Sequence, residues 1–197
     1  MKVLIILGHP DPQSFNHALA AGVREALLAD GHDVSLRDLA AEGFDPRLSA
    51  AELSGRGAVP EDVRPYVDEL GAAQGIVIVH PNWWGQPPAI LKGWIDRVLR
   101  AGVAYRFEEG DSGGGVPVGL LKAGAAVVLN TSNTQQAREL EAFGDPLEAL
   151  WHRCIFELCG VRVFHRRMFG VIVTSTRQQR LSWIEEAQAL CRRVFAP

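Results

Sequence analysis

Residues 76–98 read IVIVHPNWWGQPPAILKGWIDRV. The first four, Ile76 to Val79, form an apolar run suited to a fully buried strand. The run ends abruptly in a polar, proline-flanked turn with two adjacent tryptophans, residues 80–86. An amphipathic helix pattern follows at once. Pro87 and Pro88 open it, where a missing N–H costs nothing, and Ile90, Leu91, Trp94, Ile95, Val98 and Leu99 share one face opposite Lys92, Asp96, Arg97 and Arg100. A buried parallel strand feeding a loop at its carboxyl end is where open α/β sheets bind ligands. A single tryptophan in such a loop more often fills the core. Two together favour contact with a flat aromatic ligand, a flavin or a nucleotide.

The same alternation extends along the chain. Residues 3–7, 33–39, 75–79, 125–129 and 161–173 read as strands, the last interrupted around Arg166. Between them lie helix patterns at 16–30 (Leu19, Val23 and Leu27, stopped by Gly31), 61–70, 87–99, 135–143 and 146–158, with a terminal helix at 178–195. The pattern at 146–158 is the clearest: Leu147, Leu150, Trp151, Cys154, Ile155 and Leu158 fall on one face, and Gly160 caps it. Residues 40–60 read as irregular. Residues 101–124, with Gly113, Gly114 and Gly115, are too long for a simple helix-to-strand connection and read as a flap or hairpin. Strands alternating with helices imply a parallel sheet covered on both faces, most economically in the order 2-1-3-4-5.

Composition bounds the function classes. A length of 197 residues fits one domain over 1–197 with a substantial core. The 47% hydrophobic and 22% charged content is that of a globular protein. A net charge of −3 argues against a nucleic-acid partner. No 18-residue apolar run exists, so no membrane span is expected, and residues 3–7 are too short for a secretory core. Cys154, Cys159 and Cys191 form no CxxC pair; they read as buried free thiols in a reducing cytoplasm, with no disulfide and no metal site. Arg162, His165, Arg166 and Arg167 read as a solvated strand end.

The expected sheet order brings three loops together. In residues 8–16, GHPDPQSFN, Ser14 and Asn16 are N-cap types, and a helix start offers its free N–H groups and dipole to an anion. His9 adds a hydrogen bond or a charge to a phosphate there. Neither a Walker A sequence nor GxGxxG is present. The second loop is residues 80–86; within it His80 is read as structural. The third, residues 130–134, is NTSNT, whose hydroxyls and amides suit the polar edge of a ring, although by itself a simple cap on the helix at 135–143 is the favoured reading.

The stretch PNWWGQPPAILKGWIDRVLRAGVAYRF, with ILGHPDPQSFNHAL before it and GDPLEALWHRCIFELCGV after it, resembles the NAD(P)H:quinone oxidoreductase branch of the flavodoxin-like fold. The resemblance spans nearly the whole chain. It implies an α/β flavodoxin-like domain that binds FAD, with FMN as the alternative, and takes NAD(P)H as co-substrate and a quinone-like acceptor by a ping-pong mechanism. It implies that His9, Ser14, Phe15 and Asn16 hold the flavin's phosphates, and that Pro81, Asn82, Trp83, Trp84 and Gly85 run along the isoalloxazine, with Asn82 and Trp83 placing its reacting edge. Thr131, Ser132 and Asn133 fall where the third loop meets the ring, without the family's Thr-Gly-Gly pattern. A Tyr and a His that follow this loop in eukaryotic members align with Ala137 and Phe143. A homodimer is implied, with residues 107–116 as flap or partner contact. The alternative within the same branch is a flavin-binding ancillary subunit of a potassium efflux transporter.

Overall fold

The computed structural model describes residues 1–53, 58–108, 110–111 and 113–196. In chain order the elements are β1 (Lys2–Leu7), α1 (Phe15–Ala29), β2 (Asp33–Asp38), α2 (Ala50–Leu53), α3 (Arg64–Ala72), β3 (Gly75–Pro81), α4 (Ala89–Val98), β4 (Tyr105–Arg106), β5 (Val118–Gly119), β6 (Ala125–Ser132), α5 (Gln136–Phe143), α6 (Pro146–Glu148), β7 (Val163–Gly170) and α7 (Arg177–Val194). α6 continues into a wider π-helical segment, Ala149–Glu157.

The five long strands are parallel, in the order β2-β1-β3-β6-β7. In the numbering of the expected strands this is 2-1-3-4-5. The central strands read as continuous apolar runs because both faces are covered. Every residue of β3 and β6 is buried. Side chains alternate between two cores. Leu4, Ile6, Ile76, Ile78, Ala126 and Val128 pack with Tyr66, Val67 and Leu70 of α3, Leu91 and Trp94 of α4, and Trp151 and Ile155. Val3, Ile5, Val77, Val79, Val127 and Leu129 pack with Leu19, Val23 and Leu27 of α1 and Ala187 and Cys191 of α7. α4 sits close beneath the loop after β2: a Cβ on Gly93 would lie 2.3 Å from the Cα of Pro46.

Several local expectations are corrected. β3 runs through His80 and Pro81, and β6 through Ser132, so both loops are shorter than their sequence suggests. β7 is unbroken from Val163 to Gly170, passing straight through Arg166. Of the two forms expected for residues 101–124, the described residues show the hairpin, with Tyr105 opposite Gly119 and Arg106 opposite Val118. Within the suggested flap at 107–116, Glu109 and Ser112 lie outside the described residues; Asp111 Oδ1 accepts from the N–H groups of Gly113 and Gly115 at 2.8 and 3.0 Å. Residues 40–60 contain the short α2. Cys159 and Cys191 are buried free thiols, and burial pushes them up to about 11 and about 12. Cys154 is exposed, against expectation. Among the described residues no helix is long and apolar enough to cross a membrane.

Candidate functional site

The carboxyl ends of β1, β3 and β6 open onto a cleft of about 760 Å³. Its first wall is the start of α1. Ser14 is the N-cap, with extended backbone, and its Oγ accepts the N–H of His17 at 3.4 Å. The amides of Phe15 and Asn16, two residues that line the cleft, are left without an intrahelical acceptor. Ser14 Oγ also lies 2.8 Å from His17 Nδ1, and His17 Nε2 lies 2.9 Å from Asp38 Oδ2, so the cap is anchored to the end of β2. Asn16, one of the two cap candidates, is not a cap: its buried Nδ2 donates to Thr131 Oγ1 at 3.0 Å and ties the first loop to the third. His9 Nδ1 accepts the Asp11 N–H at 3.0 Å, which directs the ring's other nitrogen away from the turn. Burial holds His9 below its usual range.

The second wall is the tryptophan turn. Asn82 N–H donates to Thr131 O at 2.6 Å, carrying the strand pairing one residue further. Trp83 and Gln86 exchange N–H···O=C bonds of 3.0 Å, and Asn82 Oδ1 accepts the Gly85 N–H at 3.0 Å. The amide nitrogen of Asn82 is thereby left as a donor. Trp84 has φ 58° and Gly85 φ 70°. For a bulky residue that conformation is strained, and strain of this kind collects at ligand sites. The Trp84 side chain is fully exposed and Trp83 half-exposed. The Trp83 ring centroid lies 5.9 Å from that of His9. Neither tryptophan fills the core.

The third wall combines the end of β6 with α5. Ser132 Oγ accepts the Thr134 N–H at 3.0 Å, and Asn133 Oδ1 accepts the Val173 N–H at 2.9 Å. Pro146, at the start of α6, closes the gap to the tryptophan turn: a Cβ on Gly85 would meet its Cγ at 2.8 Å.

A buried polar layer supports these walls. His80 Nδ1 is 2.8 Å from its neighbour's carbonyl, Pro81 O, and His80 Nε2 accepts from Trp151 Nε1 at 3.0 Å. The ring is neutral in this arrangement, and burial pushes its pKa down to about 4. His80 is structural, as expected. Arg166 departs from the expected solvated strand end. Its side chain is 3% exposed; it donates to Asp145, to Glu148 Oε2 at 2.9 Å and to Asn130 Oδ1 at 2.8 Å. Arg167 pairs with Glu186 at 2.5 Å and is partly exposed.

The structure therefore brings all twelve singled-out residues to one cleft: His9, Ser14, Phe15, Asn16, Pro81, Asn82, Trp83, Trp84, Gly85, Thr131, Ser132 and Asn133. It adds Asp11, Gln86 and Thr134 from within the three expected loops, Phe143, which aligns with a residue of the eukaryotic members, and Arg138, Glu139, Pro146 and Ile172, which sequence reasoning passed over. The sequence carried no signal for Glu139: only the structure shows that it lies on the buried side of a helix whose Leu140 and Phe143 are exposed.

The flavodoxin-like fold family matches residues 1–190. An uncharacterized NAD(P)H oxidoreductase of Haemophilus influenzae is 36% identical over 196 residues, covering 95% of this chain and 92% of that protein. The mouse ribosyldihydronicotinamide dehydrogenase [quinone] is 29% identical over 96% of this chain and 90% of its own. Among solved structures, an NAD(P)H:quinone oxidoreductase from Methanothermobacter marburgensis superposes with a TM-score of 0.83 at 27% identity, covering 98% of both chains. An FMN-dependent NADH-azoreductase of Bacillus anthracis, in complex with FMN, shares the fold at 20% identity and a TM-score of 0.74, with 98% of both chains covered. The chain belongs to the flavodoxin-like fold family, in the branch of the NAD(P)H:quinone oxidoreductases.

Proposed function

We propose that the protein is a flavin-dependent NAD(P)H oxidoreductase that reduces a quinone or a similar electron-poor ring. The observation that carries this reading is the convergence of three sequence-distant loops on one cleft that offers free helix-start amides at one end and a strained, exposed tryptophan turn beside them. The donor set fits a phosphorylated flat ring. The Phe15 and Asn16 amides, with the α1 dipole and His9, suit phosphate oxygens. Pro81, Trp83, Trp84 and Gly85 offer an aromatic and backbone surface along the ring. Asn82 Nδ2, with Thr131, Ser132 and Asn133, addresses its polar edge.

When bound, the flavin supplies hydride chemistry for both half-reactions, so donor and acceptor take turns in one cleft in a ping-pong cycle. The chain's own residues bind, orient and exclude water. Asn82 and Trp83 are the catalytic residues on this reading: with flavin bound, Asn82 Nδ2 would donate a hydrogen bond to the ring's edge and Trp83 would fix its plane. FAD is the cofactor favoured by the resemblance, and FMN the alternative. Leu140 and Phe143, both exposed, with Phe143 lining the cleft, support a homodimer whose partner covers the ring. The reading takes residues 1–197 as one domain and places it in the cytoplasm, in keeping with three free thiols.

The test is an absorption spectrum after incubation with FAD or FMN and desalting, followed in the same cuvette by NAD(P)H and a quinone. Retained flavin that NAD(P)H bleaches and the quinone restores supports the reading. Bound flavin that NAD(P)H leaves oxidised refutes the enzyme and favours a carrier or regulatory subunit. Sedimentation velocity tests the dimer.

A further inference from the structure

α5 is built inside out. Leu140 and Phe143 are 64% and 59% exposed, whereas Glu139 is 5% exposed and lines the cleft. A helix packed for stability alone turns its apolar residues inward. The Glu139 carboxylate forms no hydrogen bond or ion pair with any described residue. Its oxygens are not sealed from solvent; an acid in place of an apolar residue on the inner side of a helix that lines a cleft is a local violation of the kind found at functional positions. Arg138, next to it, is exposed, also lines the cleft, and is equally unpaired among the described residues. The wall thus presents an acceptor on its inner side and a cation nearer solvent. A quinone matches only the cation, since its carbonyls accept hydrogen bonds and offer no donor to Glu139. A reduced nicotinamide dinucleotide matches both, with carboxamide N–H donors on its ring and phosphates beyond its ribose.

We propose that Glu139 and Arg138 form the recognition site for the hydride donor. Glu139 accepts from the carboxamide of the dihydronicotinamide ring, and Arg138 pairs with the phosphates of the dinucleotide. The proposal deepens the flavin–NAD(P)H reading above and rests on it. It makes Arg138 the residue that separates phosphorylated donors from dihydronicotinamide riboside, which carries the same ring and no phosphate.

The experiment compares flavin-loaded wild type with Arg138→Ala, Glu139→Leu and Glu139→Gln. Stopped-flow flavin reduction is measured with NADPH and with dihydronicotinamide riboside, and binding of oxidised NADP⁺ is followed by tryptophan fluorescence. Arg138→Ala is expected to weaken NADP⁺ binding about fivefold, the scale of an exposed ion pair. Half-saturation by NADPH should shift by about the same factor, well beyond any shift with the riboside. Glu139→Leu is expected to weaken both donors, and Glu139→Gln, which keeps a carbonyl acceptor, to recover most of that loss. Equal effects of Arg138→Ala on both donors, or donor binding unmoved by Glu139→Leu, overturn the proposal. A wild-type protein that retains flavin but is reduced by neither donor overturns the functional reading itself, whatever the variants do.

Discussion

Replacing Arg166 with Met tests how the cleft is held from beneath. The guanidinium is almost fully enclosed and bonded to Asp145, Glu148 and Asn130. Met keeps much of the volume and removes every donor. Breaking a buried pair by removing one partner costs about 3–5 kcal/mol, because the remaining charge stays desolvated. Glu148 is 48% exposed, so its share is discounted for solvent screening, and Asp145, at 14%, regains some water. Asn130 Oδ1 loses its donor, and Asn130 Nδ2 already lacks an acceptor among the described residues. The expected loss is about 3 kcal/mol, a fall in Tm of roughly 6–12 °C for a chain of this size. The consequence reaches the cleft. Asp145 holds a left-handed backbone (φ 50°) just before Pro146, and Pro146 is seated on Gly85 of the tryptophan turn. Flavin affinity should therefore fall along with stability. Urea unfolding of the flavin-free protein and flavin titration of the folded variant read the two effects separately. A destabilisation below about 1 kcal/mol would refute the enclosed-network account, and undiminished flavin affinity would refute the coupling through Pro146.

Three further outcomes are expected. His80, with a folded pKa of about 4 against 6.5 unfolded, binds its proton less readily in the native state, so it contributes stability above the unfolded value that is lost as pH falls toward 4. Wild type should lose about 3 kcal/mol more than His80→Gln between pH 7 and pH 4, measured by denaturant unfolding at each pH; parallel pH profiles would exclude His80 as the source. Trp83→Ala should weaken flavin retention or slow reduction by NAD(P)H, and wild-type values of both in the absorption assay would count against a ring contact. Gly93→Ala should cost roughly 1–3 kcal/mol of thermal or urea stability, since its methyl meets the backbone of Pro46; a neutral result would mean that the loop after β2 yields freely.

The sheet was legible because its central strands are apolar runs cut by turn residues, and the order of five parallel strands follows from chain economy. The three loops were legible because each begins where such a run ends. What escaped depends on partners distant in sequence or on altered helical pitch. Arg166 looks like one charge in a basic edge strand, and only the fold brings Asp145, Glu148 and Asn130 around it. Cys154 fits a 3.6-residue period with Trp151 and Ile155, but the segment is a π-helix, whose wider turn carries the thiol to the surface. α5 misleads in the opposite sense: Leu140 and Phe143 signal a buried face, yet the side turned inward carries Glu139.

The pairing of buried strands with loops beyond their ends has an evolutionary consequence. Both cores are filled by residues inside the strands and the outward helices, while most of the cleft lining lies past the last ladder bond of β1, β3 and β6. Substitutions at Gln86, Asn133 or Arg138 alter what the cleft accepts and leave the strand registers untouched. New chemistry can thus be selected on this chain at little expense to folding, with Pro146 and its Arg166 anchor as the point where the two constraints meet.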